Sequence, residues 1–210
     1  MKRLMRGRIR ALLLPISAGD AHAAGERLIE QLTERPEWSS FRRIAAFSSL
    51  PGEIDTAPLI ERAWRDGIEI VLPRMIGRSG LEFALYRPEE TLVTKNFGVR
   101  EPGAEANTVS LRDLDCVIVP GLAFDRSGGR LGRGAGYYDR AFGIAAQENE
   151  VPANDKILFE ASERVRPMLI GAGFAFQMVD DVPMSSFDVR MDAVVTERKW
   201  HDVKSSRAPS

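Results

Sequence analysis

The stretch that most constrains this chain runs from the apolar DCVIVP of residues 115–120 into the glycine-dense GGRLGRGAGYYDR of residues 128–140. Cys116, Val117, Ile118 and Val119 leave no polar face, which predicts a strand covered on both sides, at the centre of a parallel sheet. The loop that follows holds five glycines in thirteen residues. Glycine on that scale is costly in unfolded-state entropy unless the backbone must approach something closely. A helix is predicted from about Tyr137. A buried strand, a glycine loop and a helix in that order belong to the α/β class, where ligands bind beyond the carboxyl ends of the strands.

The rest of the chain repeats the alternation. Helical periodicity covers roughly residues 2–14 and 20–34, the second ending before Pro36. RIAAFSS (43–49), IEIVLP (68–73), LEFALYR (81–87), MLIGAGF (168–174) and DAVVTE (192–197) read as strands, and TAPLIERAWRDG (56–67) as a helix with Pro58 in its first turn and Gly67 as its stop. The expected fold is α/β with a mainly parallel sheet, in one domain over residues 1–200. Four loops should leave the carboxyl ends of its strands: SSLPGEIDT, PRMIGRSG, the glycine loop and VDDVPMSSFD. Residues 145–166 are polar and read as a surface insertion, and residues 201–210 as a disordered tail.

Composition narrows the function classes. A net charge of -1 gives no global field for nucleic acid or membrane, so any phosphate site must be local. One cysteine rules out an internal disulfide framework and a cysteine-based zinc site, and Cys116 reads as a buried, inert thiol. No apolar stretch is long enough to span a bilayer. MKRLMRGRIRALLL is basic and no acid precedes Asp20, a pattern shared with organelle presequences and membrane-surface helices. It lacks a small-residue cleavage site, and Leu4, Met5, Ile9, Leu12 and Leu13 recur at helical spacing, so it is assigned to a helix of the folded domain in a cytoplasmic protein.

The glycine loop favours anion binding, because successive backbone N–H groups and a helix N-terminus converge. Its Gly132-x-Gly134-x-Gly136 spacing is neither the dinucleotide fingerprint nor the Walker loop. Arg130 and Arg133 offer forked donors to phosphate oxygens, Tyr137 and Tyr138 offer flat faces and hydroxyls, and Asp139 is placed to hold magnesium. The alternative is a surface hairpin with Asp139 as a helix N-terminal charge. Lys2, Arg6 and Arg10 fall on one helix face, either solvated or turned toward phosphate. Glu53 is either a cleft residue or a turn residue, Asp55 is the better helix cap, and Asp188 is either a second metal ligand or a turn residue. Neither His22 nor His201 is persuasive as a catalytic base, so a reaction here would rest on positioning and charge stabilisation.

Together these segments resemble the 5-formyltetrahydrofolate cyclo-ligase family. VPGLAFDRSGGRLGRGAGYYDR (119–140) is similar to that family's long signature. KRLMR, SSLPGEIDT, NFGVREP and the C-terminal GAGFAFQMVDDVPMSSFDVRMDAVVTE resemble its flanking segments in the expected order. The resemblance implies a three-layer α/β sandwich related to the sugar-isomerase and CoA-transferase-like group. It implies an ATP- and magnesium-dependent conversion of 5-formyltetrahydrofolate to 5,10-methenyltetrahydrofolate, through phosphorylation of the formyl oxygen, by a monomer or weak dimer with no nucleic-acid or membrane partner. A related enzyme on another small substrate and a non-catalytic binding protein are the alternatives. By matching position, Lys2 and Arg6 should contact the ATP phosphates, and Arg130, Leu131, Gly132, Arg133, Gly134, Ala135, Gly136, Tyr137 and Tyr138 should wrap the triphosphate. Arg133 and Tyr137 are the implied catalytic residues near the formyl group. Glu53 and residues 133–137 should contact the folate, and Asp139 and Asp188 should hold magnesium. Ala135 stands where many members carry lysine, and Phe187 where a polar residue usually precedes the aspartate.

Overall fold

The structure, a computed structural model, describes residues 1–77, 79–95, 98–148 and 166–203. In chain order its elements are α1 (Lys2–Leu13), α2 (Ala18–Thr33), β1 (Arg43–Ala45), α3 (Ala57–Arg65), β2 (Glu69–Ile76), β3 (Gly80–Tyr86), β4 (Val93–Thr94), β5 (Arg100–Glu101), β6 (Thr108–Val109), β7 (Cys116–Pro120), β8 (Ala123–Phe124), β9 (Arg130–Leu131), α4 (Tyr137–Glu148), β10 (Met168–Ala172), β11 (Ala193–Val195) and β12 (Trp200–Asp202). Eight of the strands form one sheet in the order β12-β11-β10-β7-β1-β2-β3-β6. The apolar run of β7 lies inside it, parallel to β1 and β10.

The sheet is parallel from β11 to β2 and antiparallel at its margins, where β12, β3 and β6 pair. The connections after β2 and β11 are tight turns, and a turn that short can return the chain only antiparallel. Alternation along the parallel strands sorts their side chains onto two faces. Ile44, Ile70, Leu72, Cys116, Ile118 and Ile170 pack with the buried faces of α1, α2 and α3. Ala45, Val71, Val117, Val119, Leu169 and Val194 pack on the other side with Phe124 and with Phe142 of α4. The result is the expected three-layer α/β sandwich.

The basic N-terminal helix is part of this core, with Ile9 and Leu13 each 6% exposed. β1 is shorter than the predicted 43–49. Beyond it Thr56 donates its hydroxyl to the Phe47 carbonyl, and Ser49 donates to the Ile54 carbonyl at 2.8 Å. Side-chain hydroxyls thus take over backbone groups the sheet would have used. The disordered tail predicted from residue 201 is corrected by β12, in which His201 pairs with Val194. The expected insertion at 145–166 starts as the last turn of α4; residues 149–165 and 204–210, with the expectations placed on them, lie outside the described residues. Among the described residues no helix is long and apolar enough to cross a membrane.

Candidate active site

The glycine loop leaves the carboxyl end of β7 and is built in two halves. The first is a hairpin of β8 and β9, closed around Asp125. One carboxylate oxygen of Asp125 accepts from the Ser127 N–H and hydroxyl, both at 2.7 Å, and from the Gly129 N–H at 2.9 Å. The other accepts from the Val182 N–H at 2.8 Å. Burial alone would raise the Asp125 carboxyl, but these donors outweigh it and hold the group below the usual carboxylate range. Gly128, at φ 81°, lets the backbone press against Met191, whose N–H donates to the Gly128 carbonyl at 2.9 Å. Arg130 is 5% exposed and points inward, donating to the Pro120 carbonyl at 3.2 Å and to Asp139 at 2.8 Å. Leu131 places its side chain in the core, 1% exposed.

The second half runs from Gly132 to Tyr137 and is largely exposed. It turns with Gly134 at φ 117° and Gly136 at φ 70°, conformations that L-residues rarely adopt. Helix α1 backs it: Arg6 donates to the Gly132 carbonyl at 2.9 Å and Arg10 to the Arg133 carbonyl at 3.0 Å. Arg6 and Arg10 therefore reach the loop, Arg6 half-buried and Arg10 still exposed. Arg133 projects outward and pairs with Glu53 at 2.7 Å. Glu53 serves both of its expected roles. One oxygen accepts from the Leu50 N–H at 2.9 Å to close its own turn, and the other takes Arg133. Asp55 accepts from the Ala57 N–H at 3.0 Å, which suits the capping role. At the helix entry Arg140 stacks over Tyr137 at 5.4 Å, and Arg130 over Tyr138 at 5.7 Å. Burial pushes the Tyr138 hydroxyl well above its ordinary value, so it is a neutral donor and not a base.

Asp139 and Asp188 approach the loop from different elements. Asp139 accepts from Arg130 and, at 3.3 Å, from the N–H of Val189, the residue after Asp188. Asp188 takes the Lys2 ammonium at 2.5 Å and also accepts from the Ser185 N–H at 2.6 Å and hydroxyl at 2.7 Å. Burial would raise its carboxyl, but the Lys2 and Ser185 hydrogen bonds prevail and lower it. Asp188 is thus held as an anion. Among the described residues no three acidic, histidine or cysteine side chains cluster as a metal cage. Two carboxylates beside a cationic glycine loop nevertheless form a donor set that suits magnesium, which keeps several waters and is held by one or two carboxylates plus substrate phosphates. Phe187 is 85% exposed and its ring packs on nothing that would orient Asp188.

Above the sheet the loop closes one side of a cavity of about 570 Å³. That volume is typical of a small-molecule site. Phe47, Leu50, Pro73, Met75, Leu81 and Val99 give it an apolar wall, and Arg10, Arg130, Arg133, Tyr137 and Asp139 a polar one. Neither histidine lines it. Three buried polar atoms on its lining have no hydrogen-bond partner: Ser48 Oγ, Glu101 Oε1 and Arg130 Nε. Sequence reasoning passed over Ser48, Glu101, Arg140 and Asp125. Only Asp125 carried a local signal, since an aspartate two residues before a serine and three before paired glycines is a turn signature.

An α/β sandwich with a cationic glycine loop at the carboxyl end of a central strand, facing a cavity with an apolar wall, is the arrangement of a small-molecule enzyme site. The sequence model of the 5-formyltetrahydrofolate cyclo-ligase family matches residues 1–197, and the chain belongs to that family. The 5-formyltetrahydrofolate cyclo-ligase of Escherichia coli strain K12 is 30% identical over 178 residues, covering 83% of this chain and 88% of that protein. The 5-formyltetrahydrofolate cyclo-ligase of Mycolicibacterium smegmatis is 32% identical, over 76% of each chain. The NMR structure of Aquifex aeolicus 5,10-methenyltetrahydrofolate synthetase matches with a TM-score of 0.78 at 26% identity, covering 100% of this chain and 96% of that one.

Proposed function

We propose that this protein is a working cyclo-ligase, converting 5-formyltetrahydrofolate and ATP to 5,10-methenyltetrahydrofolate, ADP and phosphate. The observation that carries the reading is a cavity whose apolar wall faces a cationic glycine loop. An apolar slot suits the folate rings, and the loop suits the triphosphate. The formyl oxygen of an amide is a poor leaving group as it stands. Attack of that oxygen on the γ-phosphorus transfers the phosphoryl group and expels ADP. N10 then adds to the activated carbon, loses its proton, and phosphate departs with the former formyl oxygen.

The chain's part in this is positioning and charge. Backbone N–H groups of residues 132–137, with the N-terminus of α4, face the phosphates. Arg133 is the mobile cation of the site. When it leaves Glu53 for the transferring phosphoryl group, Glu53 remains at the cavity wall to meet the folate. Lys2 leaves Asp188 for a phosphate in the same way, so cationic groups that hold one another's partners in the free protein are released by ATP. Asp139 and Asp188 would then hold magnesium, which supplies charge neutralisation at the phosphate oxygens. Tyr137, held under Arg140, borders the reacting groups. All of these groups come from one chain, which supports a monomer or weak dimer. ATP as co-substrate supports a cytoplasmic setting, as does a buried Cys116 with no second cysteine in the sequence to form a disulfide.

The test is the near-ultraviolet absorbance of the methenyl product, in purified protein given 5-formyltetrahydrofolate, ATP and magnesium. Product forming only with ATP is expected. Absence of ATP-dependent product at high enzyme concentration would falsify the reading.

A further inference from the structure

One carboxylate in the cavity has no assignment in the chemistry above. Glu101, in the two-residue strand β5, is 2% exposed, lines the cavity, and leaves Oε1 with no hydrogen-bond partner among the described residues. A carboxylate withdrawn from water is strongly penalised unless donors meet it, and among the described residues no ion pair reaches Glu101. The nearby cation Arg74 is committed to Glu82 at 2.6 Å. The hydroxyl of Ser48, on the same lining, is likewise buried and unpartnered. Pro73 and Met75 of β2, the strand beside β5, and Val99 share the cavity lining with Glu101 and are apolar. These features call for a planar ligand whose edge carries donors.

Resting on the reading above, we propose that Glu101 is a specificity-determining residue that receives the amidine edge of the pteridine, the ring N3–H together with the 2-amino group. A carboxylate is matched best by two parallel N–H donors, and that edge is the part of the substrate where two donors lie side by side. The glutamyl tail carries carboxylates, and ATP phosphates are anions; both are repelled from this corner. The amidine edge lies at the far end of the bicyclic ring from N5. Anchoring it at Glu101 therefore turns the formyl group away from this corner and leaves it free to face the loop.

The experiment compares 5-formyltetrahydrofolate with its 2-desamino analogue on the wild type and on Glu101→Gln, by turnover and by calorimetric binding. In the wild type the analogue should bind about 100-fold more weakly. Glu101→Gln should raise the folate KM by about 100-fold, lower kcat by less than about 10-fold, leave the ATP KM in place, and bring the two folates close to equal affinity. An unchanged folate KM in the variant, or a wild type indifferent to the 2-amino group, overturns the assignment. The second of these needs no variant, so it holds even if Glu101→Gln fails to fold. A wild type that shows no turnover of 5-formyltetrahydrofolate sinks the proposed reaction instead, and a wild type active with both folates alike sinks only the role of Glu101.

Discussion

From Asp125 to Leu131 the glycine loop is mostly buried, paired as a hairpin and tied by four bonds to one carboxylate. From Gly132 to Tyr137 the same loop is largely exposed, turns through two positive-φ glycines, and is held from behind by Arg6 and Arg10. Glycine serves different ends in the two halves. In the first it permits one backbone to press on another at Met191; in the second it frees N–H groups to face a ligand. The arginines divide the same way. Arg130 is an internal tie to Asp139, and Arg133 is a half-exposed cation whose partner can be exchanged. The loop is a bonded foot carrying an open hand, and of its two cavity-lining arginines the exposed one is on the hand.

Changes in each half should separate turnover from folding. The largest effect is expected for Arg133→Ala, a loss of about 10³-fold in kcat with a melting temperature within about 2 °C of the parent. Loss of folding without specific loss of turnover would erase the distinction between the halves. Next is Asp125→Ala, which strands the buried N–H groups of Gly129 and Val182 and the partly buried one of Ser127, and should cost about 3 kcal/mol in urea unfolding. A cost under about 1 kcal/mol would show that the foot is not held by this carboxylate.

Asp125→Asn sharpens the same point through pH. The folded-state value of Asp125 is depressed. Its contribution to stability is therefore full above the unfolded-state value of about 4 and is lost as pH falls through the lower folded value. The parent should lose stability across that acid window more steeply than the asparagine variant, as read by denaturant melts at successive pH values. Parallel slopes would remove Asp125 from the account. The smallest overall effect of the series is expected for Gly134→Ala on the hand, which should cost about 1 kcal/mol, from forcing a side chain onto φ 117°, while raising the KM for ATP. An unchanged KM would mean that this part of the loop does not follow the phosphates.

Much of this was readable along the chain. Apolar Cys116–Val119 has only one stable placement, inside a sheet covered on both faces, and β7 takes it. The spacing of Lys2, Arg6 and Arg10 put three cations on one helix face, and Lys2, Arg6 and Arg10 do reach Asp188 and the loop. Other features were not local enough to read. Arg130 and Arg133 stand two residues from equivalence in the sequence, yet the strand β9 turns one inward and the loop leaves the other out. Glu101 in VREP looks like any surface glutamate, because its burial depends on β5 packing beside β2.

What the sequence by itself determined is the pattern that short-range physics enforces: strand and helix alternation, glycine where backbone must approach or invert, and a cationic loop after the most apolar strand. Only the tertiary structure decided which charged groups are spent on one another and which polar atoms are left without a partner. Both depend on contacts between residues far apart in the chain. Lys2 meets Asp188, Glu53 meets Arg133, and one oxygen of the Glu101 carboxylate meets no hydrogen-bond partner among the described residues.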